Sequence, residues 1–169
     1  PLLEQIIILP FSPFTSIAAS ILCTMVKLFG SDYFPDFFDR ISVLFTKENT
    51  IQIGLECLRE MVCNNQPIPE QFLLIIIELI GSPFTKQIFD ICGDICKKNI
   101  QYIHDFILPI IFTQYSNFDI PLLCQACNIT AKSYREIQDD VTGDFLAQAL
   151  STKEISICEH ILIEFNEIR

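Results

Sequence analysis

Ser12-Pro13-Phe14-Thr15 returns letter for letter as Ser82-Pro83-Phe84-Thr85, 70 residues later. Ser before Pro is a helix start. The hydroxyl caps free N–H groups, and Pro at the first helical position gives up a hydrogen bond the helix could not make. Both copies are therefore expected to open helices. Apolar residues follow the first copy at Phe14, Ala18, Ile21 and Met25, and the second at Phe84, Ile88, Ile91 and Ile95. The spacing i, i+4, i+7, i+11 marks one helix face, and it recurs at the same offset.

The same spacing appears between the copies at Ile51, Leu55, Leu58 and Val62, and after them at Ile120, Cys124, Cys127 and Ala131. Registers starting at 14, 51, 84 and 120 give a period of 33 to 37 residues. A fifth helix, opened by the capping-box-like Ser151-Thr152-Lys153-Glu154, places Cys158, Ile161 and Phe165 at corresponding offsets. Five further helices are predicted between these, at roughly 2–9, 33–46, 69–80, 100–114 and 137–150. In the second of them Phe34, Phe38, Ile41 and Phe45 form one stripe. Gly30 and Gly81 are expected to end or link helices.

Ten helices in five hairpins predict an all-α fold, an α-solenoid of the HEAT or armadillo kind. In such a fold each hairpin buries its apolar face by stacking on the next, so residues 1–169 are expected to form one repeat segment. A terminal repeat should be polar outside, yet the chain opens on Leu2-Leu3 and Ile6-Ile7-Ile8-Leu9. The segment is therefore expected to belong to a longer repeat protein, the alternative being an opening helix tucked inward.

Composition narrows the function classes. Half the residues are hydrophobic, so much apolar surface must be buried. The longest apolar runs, Phe72–Ile80 and Phe106–Phe112, fall short of the roughly 20 residues a membrane span needs. Eleven Lys and Arg against twenty-one Asp and Glu give a net charge of −10. No basic cluster in the sequence exceeds Lys97-Lys98, which argues against nucleic acid and, if charge selects a partner, for a basic one. Eight Cys in a chain with so large an apolar content do not fit a disulfide scaffold and predict reduced thiols in the cytosol or nucleus.

Catalytic motifs are weak. Cys124-Gln125-Ala126-Cys127 has CxxC spacing, but both sulfurs sit at core positions of the repeat and no strand accompanies them. A zinc site on Cys92, Cys96, Cys124 and Cys127 is the competing metal reading. His104 and His160 lie in helices without spaced partners, as expected of surface or boundary residues. The glycines are dispersed, excluding a phosphate-binding glycine loop. No cofactor and no enzymatic activity is predicted.

Candidate partner-binding residues are carboxylates and aromatics. Glu56 with Glu60 and Asp90 with Asp94 are i, i+4 pairs, each placing two like charges on one side of a second helix. On a concave surface they would form an acidic strip for a basic ligand, although their registers differ by one position and aim them at different shoulders. A solvated face is the competing reading. Phe34 and Phe37, beside Tyr33 and Phe38, are mainly core candidates whose outward remainder would receive an apolar peptide.

The segment Phe14–Asn64 resembles the exportin and importin (karyopherin-β) family in its early repeats. The resemblance rests on the helix Ile17–Phe29, the turn Ser31-Asp32-Tyr33-Phe34-Pro35-Asp36 with Phe37-Phe38 opening the next helix, and the helix Gln52–Met61. Tyr33 and Phe34 stand where the family often carries Trp. The resemblance covers about a third of the chain and implies a nuclear transport receptor that is both cytoplasmic and nuclear. Its partners would be the GTPase Ran, basic cargo on the inner surface and Phe-Gly nucleoporins on the outer helices. A HEAT scaffold of another assembly, of the ribosome-biogenesis or phosphatase-regulatory type, is the alternative.

Overall fold

The computed structural model describes residues 12–30, 34, 36–66, 68–152 and 154–166. The expected helix at 2–9 lies outside them. The described chain is all-helical, with no strand among the described residues. Its elements are α1 (Pro13–Phe29), α2 (Phe37–Leu44), α3 (Glu48–Cys63), α4 (Glu70–Leu79), α5 (Thr85–Cys96), α6 (Ile100–Tyr102), α7 (Leu108–Gln114), α8 (Ile120–Ile137), α9 (Asp140–Ser151) and α10 (Ile155–Asn166). The chain divides into two compact units inside α4, between Ile76 and Ile77.

The two Ser-Pro copies behave differently. Ser12 caps α1 as a reciprocal box: its Oγ accepts from Thr15 N at 3.3 Å, and Thr15 Oγ1 accepts from Ser12 N at 2.7 Å. Pro13 is the first helical residue, as predicted. At the second copy the regular helix begins only at Thr85. Ser82 Oγ donates back to Leu79 O at 2.6 Å and accepts from Phe84 N at 3.1 Å, so Ser82–Phe84 form a turn that closes α4. Gly81 supplies the positive φ of 92° that this turn requires.

In the first unit α1 and α2 both pack on α3. The buried face of α1 is Thr15, Ala18, Ala19, Leu22, Cys23 and Val26. The predicted stripe is rotated off it, leaving Phe14 and Ile21 exposed. On α2 the buried residues are Phe37, Ile41 and Leu44 rather than the Phe34/Phe38/Phe45 set, which is half-buried. Phe38 and Phe45 both lie against Phe72 of α4, with ring centroids 6.2 Å apart in each pair. Gly54 of α3 makes room for Phe45: a Cβ there would stand 2.8 Å from Phe45 Cζ.

In the second unit α8 packs on both α5 and α10, and α9 packs on α8 and α10. Cys124, Cys127 and Ala131 of α8, Leu146 of α9, and Ile157 and Ile161 of α10 form one core cluster. The helix predicted over 100–114 is interrupted by a π-helical turn, Ile103–Ile107. Pro109 explains it. A proline inside a helix lacks an N–H and its ring meets the carbonyl four residues back, and a widened turn relieves both problems. The expected capping box at Ser151 is also displaced: Ser151 ends α9, donating to Gln148 O, and α10 starts at Ile155.

Within each unit, hydrogen bonds join side chains to residues about one sequence period away. In the first, Cys23 Sγ donates to Cys57 O at 3.6 Å and Lys27 Nζ to Asn64 Oδ1 at 3.1 Å, separations of 34 and 37 residues. In the second, Gln125 Nε2 donates to Asp90 Oδ1 at 2.8 Å, His104 Nε2 meets Asp139 Oδ2 at 3.1 Å and Asn128 Nδ2 donates to Glu164 Oε1, separations of 35, 35 and 36.

Candidate functional site

The polar side chains of the second unit converge along α5, α8 and α10. Apolar residues of these helices turn into the core, and the residues between them face outward in parallel rows. Two clefts result, with Lys97 and Lys132 contributing to both.

The first cleft, about 330 Å³, holds Asp90, Asp94, Gln125 and Asn128 beside the two lysines. Asp90 accepts from Gln125, and Asp94 pairs with Lys97 at 2.8 Å. The predicted acidic residues Asp90 and Asp94 thus share one cleft, but the cations in it prevent a purely acidic surface. Glu56 and Glu60 belong to the first unit, half-buried on α3, where Glu60 Oε2 accepts from Asn64 Nδ2 at 3.4 Å. The four carboxylates therefore divide between the two units.

The second cleft, about 590 Å³, is walled by Lys97, Lys98, Lys132, Arg135, Glu136 and Glu164, with Cys96 and Ile100 as its apolar part. Glu164 of α10 is only 5% exposed. Its carboxylate lies 3.5 Å from Lys132 Nζ and 3.9 Å from Arg135 Nη1, and Arg135 Nη1 also donates to the Glu164 carbonyl at 3.3 Å. Among the described residues Glu164 Oε2 accepts no hydrogen bond; the two cations balance its charge and Asn128 donates to Oε1. Burial pushes the Cys96 thiol up to about 12, with Glu164 adding to the rise and Lys132 opposing it.

This basic cleft is not visible along the sequence, where no cation cluster exceeds Lys97-Lys98. The available signal was the period: Lys132 follows Lys97 by 35 residues, within the 33–37 spacing. Positions one period apart meet on neighbouring helices, as the hydrogen bonds above do.

The aromatic candidates separate. Phe37 is 3% exposed and belongs to the core, because it lies on the inward face of α2 with Ile41 and Leu44. It is thereby removed from any outward surface. Phe34 is half-buried and its carbonyl accepts from Phe37 N, while Tyr33 lies outside the described residues.

The cysteines pack as small apolar groups. Cys92, Cys96, Cys124 and Cys127 are buried free thiols; burial raises all four, and Cys92, Cys96 and Cys127 well above the ordinary thiol range. Such thiols hold little thiolate at neutral pH and make poor nucleophiles. Among the described residues no group of His, Cys, Asp or Glu is arranged to hold a metal ion. Nor is any helix there long and apolar enough to cross a membrane.

His104 meets Asp105 at 2.9 Å through Nδ1 and Asp139 at 3.1 Å through Nε2. Hydrogen bonding to Asp105 leads in raising its pKa, and the same bond lowers Asp105; in Asp139 burial is outweighed by the bonds from Thr142, with His104 adding to the lowering. Asp139 also caps α9 by accepting from Thr142 N at 2.9 Å, so the imidazole ties the π-helical turn to a helix start. His160 is exposed beside the first cleft.

No family model, curated protein or solved structure matches this chain.

Proposed function

We propose that the chain is a protein-binding segment of an α-solenoid and belongs to a nuclear transport receptor. The observation that carries the solenoid reading is the set of hydrogen bonds between residues 34 to 37 apart, a range contained in the 33–37 period of the helix starts. Bonds at one period are what stacked hairpins produce, because equivalent positions of neighbours lie side by side. The transport reading rests on the karyopherin-like run Phe14–Asn64. It places the protein in cytoplasm and nucleus, with Ran, cargo and Phe-Gly nucleoporins as partners.

The mechanism is adaptive wrapping. In a stack of repeats the contacts are chiefly between neighbours, so small hinge changes add into a change of curvature that a bound partner selects. The reading is non-enzymatic. Raised, buried thiols and a histidine held between two carboxylates support it, since neither offers a poised nucleophile.

Affinity capture with the parent-length protein, run with Ran held in its GTP and GDP states, tests the proposal. Retention of GTP-bound Ran with Phe-Gly nucleoporins is the expected result. Recovery of a different stable complex, indifferent to the nucleotide, would move the function to a scaffold of that assembly.

A further inference from the structure

An acidic chain concentrates its cations in one place. The net charge is −10 and only eleven residues are Lys or Arg, yet four of them wall the cleft at the ends of α5 and α8. Basic residues at a helix C-terminus ordinarily complement the helix dipole. That effect does not require four to face one cavity. Glu136 and Glu164 of the lining, with Asp94 beside Lys97, answer them with three carboxylates, leaving one formal positive charge in surplus.

The cations are also partly ordered. Glu164 is buried and engages both Lys132 and Arg135, with Arg135 fixed a second time by the Glu164 carbonyl. Holding long side chains in place before binding reduces the entropy lost when a ligand arrives. Lys97 is similarly held by Asp94.

We propose that this cleft binds an acidic segment of a partner protein, an extended peptide carrying Asp or Glu side chains. This rests on the protein-binding reading but not on Ran or transport. Charge complementarity selects the sign of the ligand. The lining selects a peptide over a bare anion. Glu136 lies exposed on the wall and can accept from a peptide's N–H groups, and Ile100 and Cys96 offer apolar contact that a bare anion does not use, while the buried Glu164 serves to order the cations. The cleft's 590 Å³ also exceeds what one small anion fills. The neighbouring cleft with Asp90 and Asp94, joined through Lys97 and Lys132, gives the surface a polarity that would fix the direction of such a peptide.

The test is fluorescence anisotropy on the purified full chain, with a labelled peptide of alternating Asp, Glu and Gly about eight residues long, enough to span ~25 Å. Its Asn/Gln counterpart, inorganic phosphate and single-stranded RNA serve as competitors. The acidic peptide is expected to bind and to weaken with salt, and the neutral one not to compete. Lys98→Glu, at an exposed position, should weaken binding roughly tenfold or more while helicity by circular dichroism stays unchanged. Lys47→Glu, the same charge change in the first unit, should leave binding within about twofold. The proposal is overturned if the acidic peptide fails to bind, if both variants lose affinity equally, or if phosphate or RNA displaces the peptide at lower concentration than its unlabelled self. Such a failure would leave Ran capture untouched, so the two readings fail separately.

Discussion

The two units are built from similar helices but are held together by different forces. In the first, α1 packs on α3, with Ala19 and Cys23 of one and Cys57 and Leu58 of the other lacking any exposed surface, and the contacts between neighbours among the described residues include a thiol and the Gln66 amide on carbonyls and an exposed lysine on an asparagine. In the second, the links between neighbours carry charge: Asp90 with Gln125, His104 with Asp139, and Lys132 and Arg135 with Glu164. Steric fit governs the first unit, and electrostatics adds a large share to the second. The two should therefore respond to different perturbations.

The largest effect is expected in the second unit. Glu164→Ala leaves Lys132 and Arg135, each about one-quarter to one-third exposed, without the buried carboxylate between them. Loss of one partner from a buried ion pair is costly because the remaining charge is stranded, and about 2–4 kcal/mol is expected here. Urea unfolding monitored by circular dichroism measures it. A loss below about 0.5 kcal/mol, the range of ordinary surface substitutions, would mean that α10 is not held by this cluster.

Next comes the steric test of the first unit. Gly54→Ala adds a methyl 2.8 Å from the Phe45 ring, which is itself backed by Phe72. Alanine is favoured in helices by about 1 kcal/mol, and overpacking opposes it by about 1–3 kcal/mol. Net destabilisation near 1 kcal/mol is expected. Measured stabilisation would show that Phe45 can move aside. A cap substitution follows: Ser12→Ala should cost about 1 kcal/mol by removing the reciprocal box at the start of α1.

The smallest effect is pH dependence, and it belongs to the second unit. His104 is raised in the folded chain, so its contribution is fully present below the ordinary histidine value near 6.5 and is lost as pH rises through the higher folded value. Asp105 and Asp139 are lowered, so theirs is present above the usual aspartate value of 3.8 and is lost as pH falls through the folded one. Amides of the π-helical turn and the start of α9 should exchange most slowly, after correction for intrinsic rates, between these limits. In His104→Gln the alkaline limb should flatten.

Much of the helical pattern was legible because local chemistry writes it. Apolar spacing located α3, α5 and α8, and Gly30 ends α1 at a φ of 85° as its type suggests. What escaped depends on partners distant in sequence. The apolar stripe Phe14/Ile21 looked like a core face, but the buried face is turned toward Thr15, Leu22 and Val26, where small residues let α3 approach. The second Ser-Pro copy shares every letter with the first, yet α4 ends immediately before it and takes the Ser82 hydroxyl. The basic cleft assembles residues 35 apart, which composition averages away. The helix expected over 100–114 takes no account of Pro109, and a kink, a break and a π-helical turn would all accommodate that residue, so the turn follows from the fold rather than from the letter.

Within each unit, residues one period apart meet on neighbouring helices. Short-spacer amine cross-linking of the native chain, followed by peptide mass spectrometry, tests it directly. A prominent link from Lys97 or Lys98 to Lys132 is expected, since all three wall one cleft. Efficient modification of those lysines without that link would contradict the arrangement of α5 beside α8, and with it the repeat reading.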